Sequence, residues 1–359
     1  MTRNPSPNPI FDAIDVRSMA DAICSLQKPN GEIPWSVNGK TDPWDHVESA
    51  MALAVAGYLK EARDAFAWSA FTQNPDGSFY ATYRNGQPDE MRKDPNMSTY
   101  VALGIYHYYL ISGDKDYLEK MWPTIEKAID FAVRLQSPDG PIYWSQDLDG
   151  NIEKRCLLTG SSSIYMSIQS AIAIAKCLNK SRPQWEFARR KLGKAIRTRP
   201  DLFDESKSRY SMDWYYPILC GAVTDQEAEN RIRQYWDEFV VENWGVRCVS
   251  DRPWVTMAES SECVLALAGI DMFEQAENIF RWIRNSCFEN GLYWTGVTVP
   301  DSVVWPEEQT SWTTGAVLLA ADALYTWTPG SHIFSHDYWK THRSHTKAGT
   351  GKREKAPAA

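Results

Sequence analysis

One short phrase recurs along this chain and limits what the chain can fold into. It reads QKPNGEIPW from Gln27, QNPDGSFY from Gln73 and QSPDGPIYW from Gln136, with looser forms VENWGVRC from Val241 and FENGLYWTG from Phe288. Asn/Asp-Gly after a helical run is a stop signal, because glycine takes the left-handed conformation that ends a helix. Each turn leads through an aromatic stretch into a helix of small and apolar residues, and a charged, amphipathic helix precedes it. The charged helices are expected near 15–27, 60–73, 117–136, 184–198, 225–241 and 273–288. The small-residue helices are expected near 45–57, 97–112, 161–178, 214–223, 257–269 and 311–325. Helical periodicity dominates and no convincing strand pattern stands out. Six alternating pairs predict an all-α fold, an (α/α)6 toroid or barrel of six helical hairpins. The amphipathic helices lie outside and the apolar ones line the axis, where they pack on every side.

In such a ring the turn-to-inner-helix loops gather at one end, so polar residues at inner-helix starts converge on one funnel. The stretch TDPWDHVESAMALA, from Thr41 to Ala54, carries Asp42, Asp45, His46 and Glu48 into a helix that is otherwise apolar. A second inner helix repeats the pattern. ESAMALAVAGYLKEARDAF from Glu48 aligns without a gap with ECVLALAGIDMFEQAENIF from Glu262, and three residues earlier Asp45 falls on Glu259. The i,i+3 spacing puts both acids of each pair on one helical face.

Two acidic pairs aimed into one funnel suit glycoside hydrolysis. One protonated carboxyl donates to the leaving oxygen, and a second carboxylate activates water or attacks the sugar. Burial and like charge hold one of them protonated near neutrality. The bland alternative is that acids at helix starts cap the helix or bind arginines. Asp45 and Glu262 are the expected catalytic pair, with acid and base roles left open between them. Glu48 and Glu259 are the second choice, either as catalysts or as holders of sugar hydroxyls.

Further substrate-binding candidates are Asp42, Trp44 and His46, then Asp213, Trp214 and Tyr215 in MDWYYPIL, and finally Trp254, Trp294, Glu308 and Trp312. Trp144, Arg155 and Trp305 are weaker guesses of the same kind. The 16 Trp and 17 Tyr support a carbohydrate partner, since many stand in loops beside glycine where rings serve as stacking platforms. Core packing accounts for about half of them. No metal and no cofactor is expected.

Length and charge set the remaining bounds. A single catalytic domain is expected over 1–330, followed at 331–359 by a disordered tail with six basic and two acidic residues. His332, His336, His342 and His345 fall in that tail, which has little core to fix a metal site. A net charge of -8 argues against nucleic acid. No window approaches the ~20 apolar residues of a membrane span, and the N-terminus has no apolar signal core. Seven scattered cysteines without a CxxC pair point to buried thiols in a reducing compartment, the cytoplasm. The helices are accounted for within one chain, so both monomer and dimer remain open.

The six-hairpin layout, Trp-rich loops and paired acids resemble the inverting (α/α)6 glycoside hydrolases of the glucoamylase-like group, over roughly residues 15 to 326. More narrowly, DPWDHVESAMAL and AESSECVLALAG look like the mycobacterial methylmannose polysaccharide hydrolase family. That resemblance implies an inverting endo-acting α-1,4-mannosidase, with carboxylates from the first and fifth inner helices as the pair. QNPDGSFY and QSPDGPIYW also resemble the repeats of triterpene cyclases and related prenyltransferases, which use α/α toroids. The cyclases need a DxDD acid motif that DLDG at Asp147 does not supply, and the prenyltransferases need zinc ligands that the body lacks. Epimerases of this shape use paired histidines, and a non-catalytic glycan-binding toroid would gain nothing from buried acids.

Overall fold

The computed structural model describes residues 14–344. Six amphipathic helices alternate with six apolar ones, as the repeat predicts. The first set comprises Val16–Leu26 (α1), Leu59–Thr72 (α3), Lys115–Arg134 (α5), Pro183–Thr198 (α7), Asp225–Phe239 (α9) and Phe273–Ile283 (α11). The second comprises Pro43–Val55 (α2), Pro95–Ser112 (α4), Leu158–Cys177 (α6), Ser211–Leu219 (α8), Met257–Gly269 (α10) and Ser311–Tyr325 (α12). Each even-numbered helix packs on the next, α2 on α4 through α10 on α12, and α12 packs back on α2. The odd-numbered helices lie against them: α3 on α2 and α4, α7 on α6, α9 on α8, and α11 on α10 and α12.

The repeated turn is a staple, and its chemistry explains why the phrase recurs. Gln27 Nε2 donates to the carbonyl of Gly31, four residues on, and at 2.9 Å to the Glu61 carbonyl of α3. Gln73 does the same to Gly77 and, at 2.9 Å, to Thr124 of α5; Gln136 does so to Gly140 and, at 2.9 Å, to Ala188 of α7. Each turn is thus pinned to the next amphipathic helix. Gly77 sits at φ +91°, and a Cβ there would stand 2.1 Å from the Lys127 carbonyl oxygen of α5. Only glycine satisfies both the left-handed backbone and the close approach.

The strand content corrects the sequence reading. Tyr80–Arg84 (β1), Gln87–Lys93 (β2), Ser145–Gln146 (β3) and Ile152–Glu153 (β4) form one antiparallel sheet in that order. Val240–Val241 (β5), Gly245–Arg247 (β6), Trp254–Thr256 (β7) and Gly296–Thr298 (β8) form a second. Both sheets belong to the loops that enter the even-numbered helices. Most of their strands are two or three residues long, too short to show alternation in a sequence.

The expected tail is corrected in part as well. Pro329–Phe334 form a 3-10 turn and His336–Ser344 a thirteenth helix, α13. Ile333, Phe334 and Trp339 are buried, Trp339 Nε1 donates to the Ile333 carbonyl at 2.7 Å, and the Tyr106 and Tyr338 hydroxyls meet at 2.6 Å. Aromatic anchors fasten this segment in spite of its basic character. His345 and the rest of 345–359 lie outside the described residues. Among the described residues no helix is long and apolar enough to cross a membrane.

Candidate active site

The site is built at the start of α2. Asp42 is its N-cap: Oδ1 accepts from the Asp45 N–H at 2.9 Å, and Oδ2 accepts from Trp35 Nε1 at 2.6 Å. Pro43 follows at the first helical position, where its missing N–H costs nothing. One turn of helix then carries Asp45, half-buried, and Glu48, 3% exposed. On α10 the matched residues are Glu259, half-buried, and Glu262, 6% exposed.

Glu262 is held on both oxygens. The Tyr215 hydroxyl donates to Oε2 at 2.6 Å and the Tyr216 hydroxyl to Oε1 at 2.5 Å. Trp44 packs on Tyr216, with ring centres 5.6 Å apart, and on Tyr100 at 5.2 Å. Helices α2, α4, α8 and α10 therefore contribute to one cluster of acids and rings. Tyr216 and Tyr100 were not singled out from the sequence. Tyr216 stands next to a chosen neighbour in MDWYYPIL, which was the one signal available for it.

These carboxyls act on one another. Burial pushes Asp45 well above its ordinary range, and Asp42, Glu48 and Glu262 push it further. Burial likewise raises Glu48 well above its usual value, with Glu262, Asp42 and Glu259 adding to the effect. Glu262 is raised by burial, then drawn back by its two tyrosine donors, to about 8. The leading influences on all three include no cation. A cluster of this kind cannot carry full charge, so it keeps at least one proton near neutral pH. The proton falls most readily on Asp45 or Glu48, which lack the two hydroxyl donors that stabilise Glu262 as a carboxylate.

Several other expected site residues turn out to be structural. His46 is fully buried: its Nδ1 accepts from the Ile33 N–H at 3.1 Å, and its Nε2 donates to the Ala65 carbonyl at 2.9 Å. Ser98, Ser260 and Thr314 do the same work in other repeats, accepting from the N–H groups of Phe79, Val246 and Tyr293. His46 thus pins the entering loop, and burial lowers its pKa to about 4. Trp214 is buried, stacks on Phe239 and donates to the Arg231 carbonyl, so it is a core residue and no platform for sugar. Asp213 accepts from the Thr159 N–H and hydroxyl, which ties α8 to the start of α6.

The remaining candidates lie toward the rim or in the second sheet. Trp254 Nε1 donates to the Trp305 carbonyl at 2.7 Å, and its ring meets that of Trp305 edge-on. Trp294 packs with Val255 and Val297 around the second sheet. Glu308 is exposed. Trp312 packs on Trp35, and its Nε1 is buried without a hydrogen-bond partner, a donor left for a ligand oxygen. Trp144 is no stacking platform either, because the Arg92 and Arg155 guanidinium groups lie 4.5 and 4.2 Å from its ring centre.

No protein-family model matches the chain. Among solved structures, a glycosidase variant in complex with glucose superposes with a TM-score of 0.71 at 15% identity, covering 90% of this chain and 99% of that one. A GH63 mannosylglycerate hydrolase from Thermus thermophilus, also in complex with glucose, gives 0.67 at 10% identity, covering 84% and 99%. The chain therefore has a mostly helical glycosidase fold. It is 48% identical over 318 residues to the MMP endo-(1,4)-3-O-methyl-α-D-mannosidase of Mycolicibacterium hassiacum, spanning 89% of this chain and 88% of that protein. The chain belongs to that family of glycoside hydrolases, which sets aside the isoprenoid reading.

Proposed function

We propose that this protein is an endo-acting α-1,4-mannosidase that hydrolyses methylmannose polysaccharide by an inverting, two-carboxylate mechanism. The observation that carries the mechanism is the convergence of Asp45, Glu48 and Glu262 with no cation among their leading influences. The substrate rests on the relative from Mycolicibacterium hassiacum. The run of contacts from α2 round to α12 and back supports a closed (α/α)6 toroid forming one domain, with the acids at the mouth of its axis. Seven free thiols support a reducing compartment, the cytoplasm.

Asp45 is the general acid. It is reachable from solvent, and every leading influence on it favours the protonated form. It gives its proton to the glycosidic oxygen as the bond to the anomeric carbon breaks. Glu262, fixed by Tyr215 and Tyr216, is the general base. It takes a proton from a water that attacks the opposite face of the sugar. In this reading Trp44 and the indole N–H of Trp312 contact the sugar, supported by the packing of Trp44 on Tyr100 and Tyr216 and by the unpartnered Trp312 Nε1. Glu259 is a second reading for the base, favoured by a half-buried carboxyl whose buried Oε2 has no partner.

The test is a set of single substitutions assayed on the methylated polysaccharide. Asp45→Asn and Glu262→Gln should each lower kcat by about 10²–10⁴-fold while ligand binding and melting behaviour persist. Near-normal turnover in Glu262→Gln together with a collapse in Glu259→Gln would transfer the base role to Glu259.

A further inference from the structure

Outside the acid cluster, an unexplained surface feature lies on the first sheet. Met91, Leu148 and Ile152 are 41, 55 and 38% exposed, an unusual grouping of apolar side chains in water. They border a shallow groove of about 580 Å3 whose polar lining is Arg92, Ser145, Asn151 and three acids, Asp147, Asp149 and Glu153. The groove is firmly built. Arg92 donates to Asp94, the N-cap of α4, at 2.9 Å, and Asp147 accepts from both the backbone N–H and the side-chain amide of Asn151.

Its position ties it to the acids. Strand β2 runs directly into α4, which supplies Tyr100 to the cluster of acids and rings, and β4 leads into α6, which packs on α4. Strand β1 also pairs through Tyr83 with Thr41, the residue before the Asp42 cap. An enzyme that cuts within a chain must hold sugars beyond the one being cleaved. A 3-O-methylated chain presents apolar methyl groups alternating with hydroxyls and ring oxygens. Exposed Met, Leu and Ile interspersed with Arg, Ser, Asn and three carboxylates complement that pattern, the polar groups for the hydroxyls and the apolar ones for the methyls. A fully hydroxylated sugar gains little from the apolar side chains. Trp144 already carries the guanidinium groups of Arg92 and Arg155 against its ring, so apolar contact with the methyl groups is the means of recognition this surface provides.

Resting on the polysaccharide reading above, we propose that this groove is an outlying binding surface for the O-methyl groups of the substrate chain, and that it discriminates methylated from unmethylated mannan. The test compares the wild type with the triple variant Met91→Ser, Leu148→Ser, Ile152→Ser on long methylated and long unmethylated α-1,4-mannooligosaccharides. For the methylated chain KM should rise about tenfold, the factor that ~1.4 kcal/mol of lost contact gives, with kcat unchanged and the unmethylated KM unmoved. An unchanged methylated KM, or an equal rise for both chains, overturns the proposal. So does a variant that runs as a smaller species than the wild type in gel filtration with KM unchanged, since the patch is then an interface between copies. A wild type that neither cleaves nor binds either chain contradicts the substrate reading itself, and calorimetric binding to Glu262→Gln separates that failure from loss of the methyl contacts.

Discussion

At the scale of single residues, the two hydroxyls on Glu262 decide its role. Each donates to a carboxylate oxygen and so favours the charged form against the burial that raises the group to about 8. In the base role proposed for it, Glu262 must be unprotonated, so activity is expected to fall as pH drops through its pKa. Tyr216→Phe removes one donor, raises that pKa and should move the acidic limb of the kcat/KM profile to higher pH. A limb that stays in place would detach Glu262 from catalysis. Glu48 offers a thermodynamic check. Its folded pKa lies above the unfolded 4.5, so the folded state binds the extra proton and stability declines as pH rises from 4.5 toward the raised value. Glu48→Gln removes that penalty. Its melting temperature should exceed that of the wild type by about 2 °C or more at pH 8, with a smaller gap at pH 5. An equal gap at both values would contradict the account.

At the scale of elements, the loops that enter the apolar helices are anchored by one recurring contact. His46, Ser98, Ser260 and Thr314 each accept a backbone N–H from the strand or turn before their helix. His46 also reaches Ala65 on α3. His46→Ala leaves two buried backbone groups unpaired and should cost about 2–4 kcal/mol, read as a lower denaturation midpoint. Unchanged stability with lost turnover would return His46 to the chemistry. The helix pairs were legible because period and turn chemistry agree along the chain. The paired acids were legible because α2 and α10 align without a gap. The capping roles of Asp42 and Asp213 were not, since an acid at a helix start reads the same whether it holds a backbone N–H or a sugar hydroxyl. Trp214 misled for a related reason: a ring beside a site in sequence can face the core. The small sheets and α13 escaped because two-residue strands and a nine-residue polar helix carry no period of their own.

At the scale of the molecule, the order of helices makes the chemistry possible. Six apolar helices pack neighbour to neighbour, and two of them, α2 and α10, carry acids in their first two turns that act on one another. Stability is given up locally, because buried carboxyls without cations are costly, and a large apolar core elsewhere offsets that cost. What the proposed site gains is a set of carboxyls raised by burial and by one another, among which the two tyrosine hydroxyls draw Glu262 back toward the charged form that a base needs. The direct test is proton NMR of the purified protein mixed with an α-1,4-linked 3-O-methylmannose oligosaccharide, followed from the first minutes. The account predicts new β-anomeric reducing ends on internal fragments, which later equilibrate toward the α form. New α-anomeric ends at the earliest times would contradict it, because retention requires one carboxylate to act as nucleophile.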